Sequence, residues 1–291
     1  SSLDGARESV LLPPRQRASD TARRYRIADG EQLDAVGLVT RAGGEPDQFV
    51  PVVNVALASW TTLAASTVGI SDEFEKLRNR CASRRLARVD RTDLPCAAPF
   101  QFDASILLPS RWRPTFEEQG LGTPEEAARF GRDNVRPLLV KMSEPSPYVA
   151  CIVADGDHMG GAIDLMTDAK AHRGCSRNLA RFAGEARRIV EQQHSGSLVY
   201  SGGDDVLAFL PVPEALACAE ALRQEFAEIM KTACASIIEK EGYKQPTLSV
   251  GIGIGHIMEG MGDLLDLGRK AEKLAKGGDL PKGQDRNALA I

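Results

Sequence analysis

Ser197-Leu198-Val199-Tyr200-Ser201-Gly202-Gly203-Asp204-Asp205-Val206-Leu207-Ala208-Phe209-Leu210 is a pair of apolar, β-prone runs joined by Gly-Gly-Asp-Asp. Glycines at such a join supply the positive φ of a tight turn, so the stretch reads as a β-hairpin with two adjacent carboxylates at its tip. Neighbouring like charges are costly at neutral pH unless something neutralises them, and for hard oxygen ligands the usual neutraliser is Mg²⁺ or Mn²⁺. The same four residues also fit an ordinary solvated hairpin, and their surroundings have to decide.

Upstream, Tyr148-Val149-Ala150-Cys151-Ile152-Val153-Ala154 reads as a buried strand that runs into Asp155-Gly156-Asp157-His158-Met159-Gly160-Gly161, a second acidic tip. Between the tips, Ser176 to Gln193 has Leu179, Phe182, Ala186, Ile189 and Val190 at helical spacing. After Leu210 come a long helical pattern from about Pro213 to Glu241, a strand Thr247 to Ile254, a helix from about Met261 to Lys276, and a last strand Asn287 to Ile291. The order βαββαβ predicts a ferredoxin-like split unit. The chain is therefore expected to be α/β (α+β): a palm over 148–291, preceded over 1–147 by a mixed, mainly helical domain. The expected junction is Glu144-Pro145-Ser146-Pro147, a rigid linker. In the split unit the first strand lies beside the third, so Asp155 and Asp157 converge on Asp204 and Asp205. Four such carboxylates call for cations, and two divalent ions roughly 3.5–4 Å apart drive in-line nucleotidyl transfer. The expected metal ligands are Asp155, Asp204 and Asp205, with Asp157 a fourth. Ser201, Gly202 and Gly203 are expected to let a nucleotide approach the backbone, with Gly156 and Asp157 beside them.

These motifs resemble a known group. Asp-Gly-Asp-His-Met-Gly, Tyr-Ser-Gly-Gly-Asp-Asp-Val-Leu-Ala-Phe-Leu-Pro and Leu-Ser-Val-Gly-Ile-Gly-Ile-Gly-His are similar, in that order, to the palm shared by diguanylate cyclases, class III cyclases and the large subunit of type III CRISPR effector complexes. The likeness is greatest to the CRISPR subunit in its type III-B version. A diguanylate cyclase would carry Gly-Gly-Asp/Glu-Glu-Phe where this chain has Asp205-Val206. The resemblance implies ATP as substrate, two Mg²⁺ or Mn²⁺ ions, cyclic oligoadenylate as product, and partnership with other subunits, crRNA and target RNA. It further implies a longer polypeptide with an N-terminal nuclease domain, a first palm and a C-terminal helical domain. Two alternatives stay open: a cyclic dinucleotide synthase, and a non-catalytic palm serving as scaffold, against which the retained acidic residues speak.

Arg269, Lys273 and Lys276 lie at i, i+4 and i+7, on one face of the helix before the last strand. Ala275-Lys276, followed by Arg286-Asn287, resembles the closing motif of cyclase-like palms, where the lysine meets the triphosphate; Lys273 and Lys276 are the expected phosphate contacts. A basic helix end favoured by the macrodipole explains the same residues. His158 is read as packing its loop rather than as a base.

The remaining features set bounds. Forty acidic against thirty-six basic residues give a net charge of −4, which argues against strong nonspecific nucleic-acid binding by the bulk field. Lys76, Arg78, Arg80, Arg84, Arg85, Arg88 and Arg91 are read as one basic helix, either a solvated face or a contact for RNA or a partner subunit. Pro109 to Gly122 reads as an irregular loop and Pro124 to Lys141 as a helix. Leu3 to Val10 and Glu31 to Val39 resemble segments near the zinc region of the type III-B subunit. Cys151, Cys175, Cys218 and Cys234 read as buried thiols; Cys81 and Cys96 are fifteen positions apart with no Cys-x-x-Cys, and zinc is not expected here. No apolar run reaches the roughly 18–20 residues of a membrane span, and the chain is expected to be cytoplasmic.

Overall fold

The computed structural model describes residues 49–277 and 286–291; the zinc-region-like segments at 3–10 and 31–39 lie outside the described residues. The chain forms α1 (Val52–Ala56), α2 (Ala58–Ser66), α3 (Ser71–Ser83), α4 (Trp112–Glu118), α5 (Pro124–Phe130) and α6 (Arg136–Met142). There follow β1 (Tyr148–Asp157), α7 (Met159–Leu165), α8 (Ala169–Arg187), β2 (Ser197–Gly202), β3 (Asp205–Pro211), α9 (Ala215–Ala233), β4 (Thr247–His256), α10 (Met261–Ala275) and β5 (Leu289–Ala290).

The sheet runs β2-β3-β1-β4-β5, with β1 antiparallel to both β3 and β4 and β5 parallel to β4. This is the split unit with a fifth strand added at its edge. β1 is apolar at successive positions because both of its faces are covered. Ala150, Ile152 and Ala154 pack with Phe182 of α8 and Leu222 and Phe226 of α9, while Val149 and Cys151 join a second cluster with Leu264 of α10 and the helical region's Phe74, Phe100 and Ile106.

That second cluster spans the expected junction at 147–148, where β1 begins. Residues Phe49–Ile291 form one compact unit, because the helices before β1 lay their apolar side chains directly on one face of the sheet.

Other differences have local causes. The basic run does not form one helix: α3 stops at Ser83, and Arg85 takes a left-handed φ of 59° while the Leu86 and Arg85 amides donate to the Cys81 and Ala82 carbonyls. This is a Schellman ending with arginine where glycine is usual, and it sends Arg88 and Arg91 away from the helix. The stretch expected to be a loop after Pro109 is largely helical. The Trp112 indole donates to the Ile106 carbonyl at 2.9 Å and lies where a Cβ on Gly131 would come within 2.1 Å of its ring, so the glycine makes room for the ring that holds α4 down. The helix expected over 124–141 is interrupted by a π-type turn at Gly131–Val135 just before Pro137, which has no N–H for the ladder. α8 starts seven residues before its expected Ser176 because Asp168 caps the Lys170 and Ala171 amides, each at 2.8 Å. α9 ends at Ala233 rather than near Glu241. All six cysteines are buried and unbridged, and burial pushes the thiols of Cys81, Cys96, Cys151 and Cys218 up to about 12. Among the described residues no helix is long and apolar enough to cross a membrane.

The depth at which α10 sits on the sheet sets the position of Lys276, the residue that caps its C-terminus. Gly251, Gly253 and Gly255 alternate along β4 and face this helix; a Cβ on Gly251 would lie 2.0 Å from the Glu272 backbone nitrogen, and one on Gly253 2.4 Å from that of Gly268. Gly268 returns the fit, its own Cβ position lying 2.8 Å from Val153 Cγ2. Bare backbone on both sides lets helix and sheet approach closely. Gly251→Ala is therefore expected to lower stability by about 1–3 kcal/mol, the usual range for overpacking. Gly184→Ala, on α8 with nothing within 4 Å of the new methyl, is expected to raise it by about 0.5–1 kcal/mol. Urea denaturation of both variants checks the pair, and a Gly251→Ala protein as stable as the parent would contradict the close seat.

Candidate active site

Pairing of Gly202 with Asp205 leaves Gly203 and Asp204 as a two-residue hairpin loop. Gly203 has φ 68° and Asp204 does not share the positive sign, the pattern of a type II′ turn, whose twist matches paired strands. A Cβ on Gly156 would lie 2.6 Å from Asp204 Oδ2, so that glycine's bareness seats Asp204 against β1.

The two hairpin glycines are not equivalent. A Cβ on Gly202 would lie 2.2 Å from the Tyr200 hydroxyl, whereas Gly203 has nothing within 4 Å and faces open space. A register shift between Leu198 and Tyr200 bulges β2 and turns Tyr200 over the hairpin. Ser201 Oγ is buried and makes no hydrogen bond among the described residues. No sequence signal marked Tyr200 for this position, because a bulge changes which face a residue takes.

Register brings the acids together. Ala154 stands opposite Val206, so one further step along each strand puts Asp155 beside Asp205. Partial desolvation first, then the neighbouring Asp155, push Asp205 up to about 6. Asp204 is also raised above the ordinary carboxylate range, by burial and then by Asp155, with Lys276 acting in the opposite direction.

Lys276 is the cation of this cluster. It caps the C-terminus of α10 and pairs with Asp155, and with Glu272 at 3.4 Å. Burial pulls its ammonium down, but Asp155 and Glu272 outweigh this and hold it above its ordinary value. Arg269 and Lys273, expected on the same face, stay exposed. The acids lie past the end of the helix, so only its final cation meets them.

Asp157 stands apart from the other acids. It is 0% exposed and accepts from Thr247 Oγ1 at 2.9 Å, Ser249 Oγ at 2.8 Å and the Asn287 amide at 3.0 Å, all on Oδ2, with Arg286 at 3.4 Å from Oδ1. The expectation of a fourth metal ligand does not fit these contacts, since protein donors already occupy both oxygens. His158 takes a left-handed φ of 59° and precedes α7, a short helix absent from the sequence expectation.

Among the described residues no three His, Cys, Asp or Glu side chains are grouped around a common point, and Asp155 pairs with Lys276. The donor set still suits a hard divalent ion: Asp155, Asp204 and Asp205 present only carboxylate oxygens, and desolvation followed by the nearby Asp155 raises the proton affinity of Asp204 and Asp205.

A raised carboxyl has a definite sign in stability. Between the ordinary carboxylate range and about 6 the folded chain holds a proton on Asp205 that the unfolded chain has lost, so stability falls as pH rises through that window. Without divalent ions, Asp205→Asn is expected to raise stability at pH 8 by roughly 0.5–1 kcal/mol after solvent screening of an exposed group. The gain should fade as the pH is lowered through about 6. Thermal melts of both proteins from pH 4 to 8 in chelator check this, and a lower melting temperature for the variant at pH 8 would count against the raised Asp205 carboxyl.

Part of the chain is similar to known proteins. The family model described as Cas10/Cmr2, second palm domain, matches residues 148–290. The CRISPR system Cmr subunit Cmr2 of Pyrococcus furiosus is 30% identical over 171 residues, which make up 50% of this chain; the chain spans only 19% of that protein's length. A type III-B Cmr-beta structure, determined by cryo-EM in the apo state, has a chain with 14% identity and a TM-score of 0.41, over 86% of this chain and 34% of that one. The crystal structure of Csm1 from T. onnurineus is similar at 18% identity and a TM-score of 0.37, over 46% of this chain and 20% of that one. Residues 148–290, just under half of the chain, carry the second palm domain of the Cas10/Cmr2 family.

Proposed function

We propose that this palm is a two-metal nucleotidyltransferase that converts ATP to cyclic oligoadenylate, working with other subunits, crRNA and target RNA in a type III CRISPR complex. The observation that carries the reading is the convergence of Asp155 on Asp205 by strand register, with Asp204 seated against Gly156 beside them and Lys276 as the adjoining cation. Such a cluster is set up to bind positive charge and to release a proton in doing so.

Asp155, Asp204 and Asp205 are the residues that would hold the ions. Divalent ions at such carboxylates lower the pKa of an attacking hydroxyl and neutralise charge on the phosphates. The chain's own contributions are position and charge. The hairpin turn fixes Asp204 and Asp205 on a rigid sheet, so little reorganisation accompanies binding. Gly203, open on its outer side, leaves room for a nucleotide against the backbone. Lys276 exchanges Asp155 for phosphate oxygens, and its length and exposed edge permit that swing. The choice of ATP and of a cyclic product rests on the resemblance of the three palm motifs.

Asp204→Ala with Asp205→Ala is expected to abolish product formation while leaving melting temperature equal or higher, because clustered charge is removed. Mass analysis of the products formed from ATP with Mg²⁺ or Mn²⁺ checks it; near-parental synthesis would refute the assignment. Lys276→Ala is expected to weaken ATP by about 1–3 kcal/mol, the range for a hydrogen bond to a charged group, and AMP far less. Calorimetry with both nucleotides separates this from a folding defect, which would weaken both alike.

A further inference from the structure

We infer that Asp157 is a positioning residue: its buried carboxylate anchors the strand-end segment Arg286 to Ala288, which in turn holds the last turn of α10 and so sets where Lys276 meets Asp155. The contacts form a continuous path. Asp157 Oδ2 takes the Asn287 amide at 3.0 Å, the Arg286 amide donates to the Ala275 carbonyl at 3.2 Å, and the Val250 amide donates to the Ala288 carbonyl at 2.9 Å. Ala275 immediately precedes Lys276, which pairs with Asp155 two residues before Asp157 on the same strand.

Two features show that this segment needs an anchor. Arg286 and Asn287 both adopt left-handed φ, 75° and 48°; asparagine tolerates this readily, but arginine holds it only when its surroundings impose it. β5 is only two residues long and pairs at Val250–Leu289 and Gly251–Ala290, too short a ladder to impose it alone. The carboxylate is suited to the task. It is wholly buried, yet it is met by two hydroxyls, a backbone amide and a guanidinium, which offset the desolvation of its charge. Thr247 and Ser249 lie across from Asp157 and Asp155 on β4, so the anchor is preset by strand register.

The role deepens the proposed function in one respect, since its nucleotide arm rests on Lys276 as the phosphate contact; its exchange arm does not. The test uses the whole chain with Asp157→Asn, Lys276→Ala and the double variant. Hydrogen exchange by mass spectrometry should show amides of 272–277 and 286–290 opening at least about tenfold faster in Asp157→Asn, with residues 206–210 of β3 still protected. Mn²⁺ affinity, read by calorimetry, should be little changed. ATP affinity should fall about tenfold, as in Lys276→Ala, with no further loss in the double variant.

Unchanged exchange in those segments would overturn the anchor. So would a tenfold or greater loss of Mn²⁺ affinity with protection intact, which would make Asp157 a ligand, and so would ATP losses that multiply in the double variant. If the parent chain does not prefer ATP to AMP, the phosphate reading of Lys276 fails, and the exchange pattern alone then decides the anchor. Should Asp157→Asn not fold, Thr247→Val, which removes one donor from Oδ2, should give the same exchange pattern at smaller amplitude. No change in that variant would refute the inference.

Discussion

The pairing of β1 with β3 on one side and β4 on the other is the constraint on which the rest of this palm depends. A strand shared by two antiparallel neighbours has each residue's partner fixed on both sides, and a slip of one residue would turn every side chain to the other face. The last three residues of β1 therefore serve three separate ends. Asp155 reaches the hairpin acid Asp205, Gly156 admits Asp204 against its backbone, and Asp157 is met by the hydroxyls of Thr247 and Ser249.

A site built this way sets like charges close together. The compensation comes from α10, whose depth is set by glycine meeting glycine at Gly251, Gly253 and Gly268. With larger side chains there the helix would stand further out and Lys276 would lose its approach to Asp155. Packing and electrostatics are thus coupled at this point: the same close contact that buries Leu264 also delivers the cation that balances the acids. Desolvation first, and then the nearby Asp155, keep the proton affinity of Asp204 and Asp205 raised.

The helical region contributes by covering the opposite end of the same sheet. Val149, Cys151 and Phe209 bury against residues from before β1, so the strand that carries the acids is clamped on both faces. A rigid strand suits a site whose chemistry asks for position more than for flexibility.

Much of this was legible in the residues themselves. Alternating and continuous apolar runs marked β1, β3 and β4, the Gly-Gly-Asp-Asp join marked the hairpin, and βαββαβ order was enough to place Asp155 beside Asp205, because pairing in that unit follows from connectivity. Local rules were weaker where capping, bulging or packing intervened. Asp168 lengthened α8, Arg85 ended the basic helix early, and Trp112 drew an expected loop into helix against Gly131. Residue type and spacing alone determined that this chain carries an acidic palm. Only the tertiary structure decided that Asp157 is enclosed by hydroxyls and the Arg286-Asn287 turn while Lys276 alone of three cations meets the acids. The reason is that carboxylates two residues apart share a strand face, and what distinguishes them is which neighbouring strand or helix end arrives opposite each, a matter of long-range packing that no local pattern records.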